Sequence, residues 1–283
     1  MKHKILFIIG MHRSGTSFVS NYIGSLKSHY HDDELIEDRA NENQDGFFES
    51  KGFNLINRKI LNFNNQSWHQ IYPTELIYPK HIKKEAQNFL KSKLIDNKAL
   101  VLKDPRTTIL FDFWLKIIND LKLTYKIVMV FRHPEQVSKS LKIRSETPYS
   151  FSKLIWFHYN YFFLNNLDVE KILINFNSIE STVTRLLEYL DDTETQESGR
   201  IINSLNKEKL ENLPLINKDT GKIYNLYQFM LKHNGNLLNK RFSLNHPYSD
   251  IQRYFNLNID QGNIKIRKNY LKKYFSFLAK IFN

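Results

Sequence analysis

The chain contains no cysteine, which excludes disulfides and zinc–thiolate sites and fits a reducing compartment. No segment approaches the roughly eighteen consecutive apolar residues that a membrane-spanning helix requires. The start, Met1-Lys2-His3-Lys4 followed by Ile5 to Ile9, superficially resembles a secretion signal. Its apolar run is short and is closed by Gly10 and the polar His12-Arg13-Ser14. A signal needs about seven or more apolar residues and a small-residue cleavage site. The expected location is therefore the cytoplasm, with peripheral contact at the inner face of a membrane as a further expectation. There is no internal repeat, no His-x-x-x-His and no paired-carboxylate strand end, so no metal site is expected.

What the chain does have is bulk and positive charge. Of its 283 residues, 41% are hydrophobic and 14% aromatic, enough for one large core or a core with an appendage. Formal net charge is +12, which suits an anionic ligand, an anionic polymer or an acidic membrane surface without choosing among them. A lysine-rich soluble surface accounts for much of the excess on its own.

Four short apolar runs read as buried parallel strands: Ile5–Ile9, Ala99–Leu102, Lys126–Phe131 and Lys171–Asn175. Helical patterns lie between them, at Thr16–Leu26, Phe111–Leu121 and Phe151–Leu164. Residues Asp32 to Asp45 are acidic and read as loop or exposed helix. Alternating strands and helices predict an α/β fold with a parallel β-sheet flanked by helices. Such sheets bind ligands at the carboxyl edge of their strands. Lys103-Asp104-Pro105 and Arg132-His133-Pro134 stand at two of those ends. From about Asp191 the strand signal fades. The expected organisation is an α/β core over residues 1–190 and a mostly helical C-terminal extension over 191–283, packed on that core.

Gly10-Met11-His12-Arg13-Ser14-Gly15-Thr16-Ser17 falls between a strand and a helix, the context of a phosphate loop. Its glycines let the backbone approach an oxyanion, and the amides and dipole of the following helix face it. Both glycines and the final hydroxyl of the Walker pattern are present. The lysine is not: Thr16 stands in its place, and the basic residue comes earlier, at Arg13. A nucleotide-hydrolysing loop uses that lysine to reach the β- and γ-phosphates. An arginine inside the loop instead faces a single anionic centre.

Arg13-Ser14-Gly15-Thr16-Ser17 after an apolar strand resembles the 5′-phosphosulfate loop of the sulfotransferase superfamily, nearest to its bacterial, tyrosylprotein and carbohydrate members. Three further stretches carry the resemblance. Val128 to Ser140 places a serine eight residues beyond the strand-end Arg132, as in the family's 3′-phosphate element. Lys103-Asp104-Pro105-Arg106 is similar to the element that sets a catalytic lysine beside the sulfonyl group. Gly46-Phe47-Phe48-Glu49, followed by Leu55-Ile56-Asn57, is similar to a segment of many bacterial members. The likeness spans roughly residues 4 to 180.

The resemblance implies a P-loop-type fold and sulfonyl transfer from 3′-phosphoadenosine 5′-phosphosulfate (PAPS) to a hydroxyl, by in-line displacement and without a metal. Arg13 and Lys103 would stabilise the leaving oxygen, assisted by the amides of Ser14, Gly15, Thr16 and Ser17. Arg132 and Ser140 would hold the 3′-phosphate, with Arg144 able to share it. Glu49 is the first choice of general base, since aromatic neighbours would desolvate its carboxylate and raise its pKa. Glu34, His12 and His31 are alternatives. The acceptor pocket would come from residues 31–95, 144–160 and the C-terminal third. Trp68, Tyr72, Trp114, Trp156, Tyr159 and Tyr161 could stack on a sugar or belong to the core. A saccharide or glycolipid is the expected acceptor, and nucleic acid is not an expected partner. Residues 265–283 read as a basic amphipathic helix with aromatics on one stripe, able to lie on an anionic membrane or to dock on the core. Two other classes share some of these features: a P-loop kinase, and a non-catalytic polyanion- or membrane-binding relative.

Overall fold

The run Ile5–Ile9 becomes the central strand, β1, in the computed structural model, which describes residues 4–37, 46–69, 76–192, 221–239 and 241–242. Five successive apolar residues suit a strand covered on both faces, and all five are fully buried. The sheet has six strands in the order β2-β3-β1-β4-β5-β6. The others are β2 (His29–Tyr30), β3 (Ala99–Lys103), β4 (Tyr125–Phe131), β5 (Lys171–Asn175) and β6 (Leu237–Leu238). The first five run parallel and β6 is antiparallel to β5. The four strands expected from the sequence are present with nearly the expected ends. The two-residue strands β2 and β6 were not expected.

Alternation along β1 divides the core. Leu6 and Ile8 face α1 (Thr16–Gly24) and α7 (Val183–Leu190). Ile5, Phe7 and Ile9 face the larger layer: α2 (Lys51–Phe63), α3 (Lys80–Lys93), α4 (Thr107–Asp120), α5 (Pro134–Ser145), α6 (Tyr149–Asn166) and α8 (Gly221–Lys232). Phe7 meets the edge of Phe111 at 5.2 Å, and Phe53 lies 4.5 Å from Trp114. Buried aromatics of this kind stabilise by about 1.5–3 kcal/mol each. Trp114, Trp156, Tyr159 and Tyr161 are all core residues. Of the rings weighed for stacking, only Trp68 is half-buried, and Tyr72 lies outside the described residues. Helix α4 starts at Thr107 instead of Phe111 because Asp104 nucleates it. The Asp104 carboxylate accepts the Arg106 amide at 3.0 Å and its carbonyl accepts that of Thr107 at 2.9 Å.

The strand order reverses at β1, with β3 on one side and β4 on the other. A ligand crevice opens at such a point, beyond the carboxyl ends of the strands. Register places Lys103 beside Ile8, and the ends of β1, β3 and β4 deliver Gly10, Lys103 and Arg132 to one edge. In the C-terminal third, α8 buries Leu226, Tyr227 and Met230 against this core, and the Gly235 amide bonds the Leu173 carbonyl at 2.7 Å. The remainder of the extension, including the basic segment 265–283, lies outside the described residues. Among the described residues no helix is long and apolar enough to cross a membrane.

Candidate active site

The loop after β1 is shaped by two glycines. Gly10 has φ +144°, and a Cβ there would stand 2.2 Å from the Val130 carbonyl oxygen. Gly15 has φ +89°, and a Cβ there would stand 2.1 Å from the ring of Phe176. Neither position admits a larger residue without strain. Arg13 also takes a left-handed conformation, φ 68°, which turns its side chain out of the line of the strand. The Gly10 amide bonds Thr108 Oγ1 at 2.9 Å, tying the loop to α4. The N-cap of α1 is Gly15, which has no side chain to cap the amino end, so the first-turn amides can serve as donors toward an anion. The Ser14 hydroxyl is fully buried and bonds no group among the described residues.

Lys103 is the best-fixed cation of the site. Its ammonium donates to Glu49 Oε1 at 2.8 Å, to Ser17 Oγ at 3.0 Å and to the Phe47 carbonyl at 3.0 Å. Three acceptors use all three of its protons. The other oxygen of Glu49 accepts from Asn54 at 2.7 Å and from Arg106 at 3.5 Å. Arg106 is held by Asp104 through its Nε at 2.9 Å, and Asn57 bonds the same carboxylate at 3.0 Å. Lys103, Glu49 and Ser17 are thus brought together. The aromatic surroundings expected for Glu49 are replaced by donors, and the ring of Phe48 lies instead against His31, at 5.6 Å. Residue 49 is fixed by a short ladder, with Ile36 donating to the Glu49 carbonyl at 2.8 Å and Lys51 to that of Glu34 at 2.8 Å. Behind it, the buried carboxylate of Asp32 receives Ser50 and lies 2.8 Å from the Lys93 ammonium.

Arg13 points the other way. Its Nε donates to Ser140 Oγ at 2.7 Å, joining the phosphate loop to the face of α5. Arg132 donates to Gln136 at 3.1 Å and lies over the ring of Phe176 at 5.3 Å, while its carbonyl accepts the Trp156 indole at 3.0 Å. Arg13, Arg132 and Ser140 therefore share one end of the site, and Lys103, Ser17 and Glu49 the other.

The alternative bases separate clearly. Glu34 is exposed on the far side of its ladder. The Nε2 of His31 bonds the Ser20 carbonyl at 3.0 Å, its ring fills the space over Gly24, and burial lowers its pKa. His12 stays in the site, 4.5 Å from the ring of Trp68. Its pKa is held well below the usual imidazole range, first by burial and then by Arg106, Arg144, Lys103 and Arg13.

No protein-family model matches the chain, and no curated protein matches it. Solved structures similar to it include the sulfotransferase domain of the Synechococcus PCC 7002 olefin synthase, with a TM-score of 0.43 and 16% identity over 92% of this chain and 96% of that one. Sulfotransferase STF1 from Mycobacterium tuberculosis H37Rv aligns with a TM-score of 0.40 and 11% identity, covering 72% of each chain. The sulfotransferase domain from the curacin biosynthetic pathway aligns at 0.39 and 14%, covering 69% of this chain and 76% of that one. All three are sulfotransferases. Similarity at this level leaves the functional reading to the site's own residues.

Several of those residues carried no readable signal. Asn54 is a neutral amide on α2 whose bond to Glu49 forms only on folding; Asn57 stood in the Leu55-Ile56-Asn57 stretch, but its bond to Asp104 was not foreseen. Phe176, which packs on Gly15 and under Arg132, is one phenylalanine among 21. Its place directly after the β5 run was the only hint.

Proposed function

We propose that this protein is a sulfotransferase that moves the sulfonyl group of PAPS to a hydroxyl acceptor. The observation that carries the proposal is the arrangement of two cationic ends around one glycine loop. Lys103 bonds the last loop residue, Ser17, while Arg13 bonds Ser140 of the Arg132 element. A donor with charge at both a 5′-phosphosulfate and a 3′-phosphate matches that two-ended layout. The residues fit it: the buried Ser14 hydroxyl has no partner among the described residues, and the N-cap of α1 is a glycine with no side chain to occupy its first-turn amides.

In the proposed reaction an acceptor oxygen attacks sulfur in line. The S–O bond to the nucleotide phosphate breaks, its electron pair leaves with the phosphate oxygen, and the hydroxyl proton passes to a base. Lys103, released from one of its three acceptors, would place its ammonium on the leaving oxygen, where negative charge grows. The amides of Ser14 to Ser17 would share that charge. Arg132 and Ser140 would hold the 3′-phosphate through charge-assisted bonds of about 1.5–3 kcal/mol. Glu49 would hold Lys103 in position. For the acceptor we propose a saccharide or glycolipid, supported by the half-buried ring of Trp68 beside His12, which offers a face on which a sugar can stack.

Calorimetric titration with 3′-phosphoadenosine 5′-phosphate (PAP), beside ADP and ATP–Mg²⁺, tests the donor. Binding that requires the 3′-phosphate and needs no metal is the expected result. Preference for ATP–Mg²⁺ would overturn the proposal in favour of a kinase.

A further inference from the structure

His12 and His31 each keep one buried ring nitrogen that bonds no group among the described residues, Nε2 in His12 and Nδ1 in His31, and of the two His12 is the one opposed by neighbouring cations. His31 bonds the Ser20 carbonyl, His69 meets Ser67 at 3.2 Å, and His133 accepts the Glu135 amide at 3.3 Å. The Nε2 of His12 is covered and bonds no group among the described residues. A buried polar atom left in that state costs about 1–3 kcal/mol, and each calls for an explanation, a catalytic role among them.

The surroundings of His12 are cationic. Arg13 adjoins it in the loop, Lys103 comes from β3, Arg106 from the start of α4 and Arg144 from α5. The carboxylates nearby are already engaged: Glu49 with Lys103 and Arg106, and Asp104 with Arg106. Tyr159, whose ring lies 6.2 Å from the imidazole, directs its hydroxyl to the Trp68 carbonyl at 2.5 Å. Each cation opposes a further positive charge on the ring. An anionic donor in the loop offsets that opposition, because its phosphates would sit among the same four cations.

We infer that His12 takes the proton of the acceptor hydroxyl through Nε2, and does so only when the donor's anionic groups occupy the loop. The inference rests on the sulfotransferase reading. As the new S–O bond forms and the old one breaks, the hydroxyl proton moves to Nε2, giving an imidazolium that releases it to water after product leaves. Glu49, whose oxygens are taken by Lys103, Asn54 and Arg106, is a positioning residue for Lys103. The gate has a chemical use: without donor, the base is kept neutral and the buried site carries no additional charge.

The test uses full-length protein with ring-labelled histidine, followed by NMR between roughly pH 5 and 8, with and without saturating PAP. The His12 signal is assigned by its loss in His12→Gln. Without PAP its midpoint should lie below that of a free imidazole; with PAP it should move upward. In parallel, breakdown of PAPS by water is followed as PAP release in wild type, His12→Gln and Glu49→Gln. His12→Gln should still bind PAP, losing only the gain in affinity toward low pH that a PAP-raised His12 pKa implies, yet turn over about 100-fold slower, and lose the fall in rate at low pH that wild type shows. An His12 signal indifferent to PAP, or an unimpaired folded His12→Gln, would overturn the inference while leaving the donor assignment intact. If wild type does not exceed the rate in buffer, the NMR response decides. Wild type that binds no PAP in calorimetry would instead overturn the sulfotransferase reading, and this inference with it.

Discussion

Two cationic corners stand at the carboxyl edge of the same sheet and are built on different terms. At the end of β3, charge meets charge: Lys103 is paired with Glu49, and Arg106 with Asp104, all of them largely buried. At the ends of β1 and β4, Arg13 meets a serine hydroxyl, and Arg132 a side-chain amide and a phenyl ring. A buried ion pair is costly to break from one side, because the remaining charge stays desolvated. An arginine on a hydroxyl or an amide gives up far less when a phosphate replaces that partner. The first corner is therefore tied into the scaffold by buried ion pairs, and in the proposed reading the second is where the donor's 3′-phosphate would bind.

Removing Lys103 should show the largest effect. Lys103→Met leaves the buried Glu49 carboxylate with Asn54 at 2.7 Å and Arg106 at 3.5 Å but without its closest cation, at a cost of about 3–5 kcal/mol, and removes the proposed leaving-oxygen cation, slowing turnover roughly 10²–10³-fold. Urea denaturation and PAP release from PAPS measure the two losses. An unchanged midpoint would erase the distinction between the corners. Gly15→Ala comes next. Its Cβ would stand 2.1 Å from the Phe176 ring at φ +89°, costing about 1–3 kcal/mol from overpacking together with the left-handed strain. Because the loop or Phe176 must shift, PAP binding should fall as well, by calorimetry.

Arg132→Ala should instead leave the fold in place. Its unfolding midpoint should stay within about 0.5 kcal/mol of wild type, while PAP affinity falls about ten- to a hundredfold, the worth of one charge-assisted bond. The same variant should lose preference for PAP over adenosine 5′-phosphosulfate. Destabilisation comparable to that of Lys103→Met would mean that both corners are scaffold.

The contrast also explains what could be read from the sequence. β1, β3, β4 and β5 were legible because a parallel strand buried on both faces is an unbroken apolar run. β2 and β6, with two residues each, have too few positions to show any period. Arg13, Ser14, Lys103, Arg132 and Ser140 were singled out because they stand at or beyond strand ends in stretches that resemble a known family's motifs. The partners that give them different characters were not. Glu49 and Ser17 reach Lys103 across 54 and 86 residues, and nothing local marks such a pair. The aromatic context of Glu49 misled for the same reason: Phe47 and Phe48 are its neighbours in sequence, but Lys103, Asn54 and Arg106 are its neighbours in space.

The smallest expected effect separates burial from cationic crowding. His158 is buried on α6 and its pKa is lowered to about 4 by burial, whereas His12 is lowered by burial and by four cations. In both cases the unfolded chain, with an imidazole near pH 6.5, binds the proton more readily than the folded one. Stability from these groups is thus full above that pH and is lost as pH falls toward the folded value. For His158, lowering the pH from 7.5 to 6.0 should cost roughly 1 kcal/mol, read as a drop in urea midpoint. Saturating PAP should leave the histidine NMR titration of His158 where it was, since no anion enters its surroundings, and should move that of His12 upward. A parallel shift of both would mean that PAP acts by tightening or loosening the whole core; a shift of His12 alone would locate the donor's charge among Arg13, Lys103, Arg106 and Arg144.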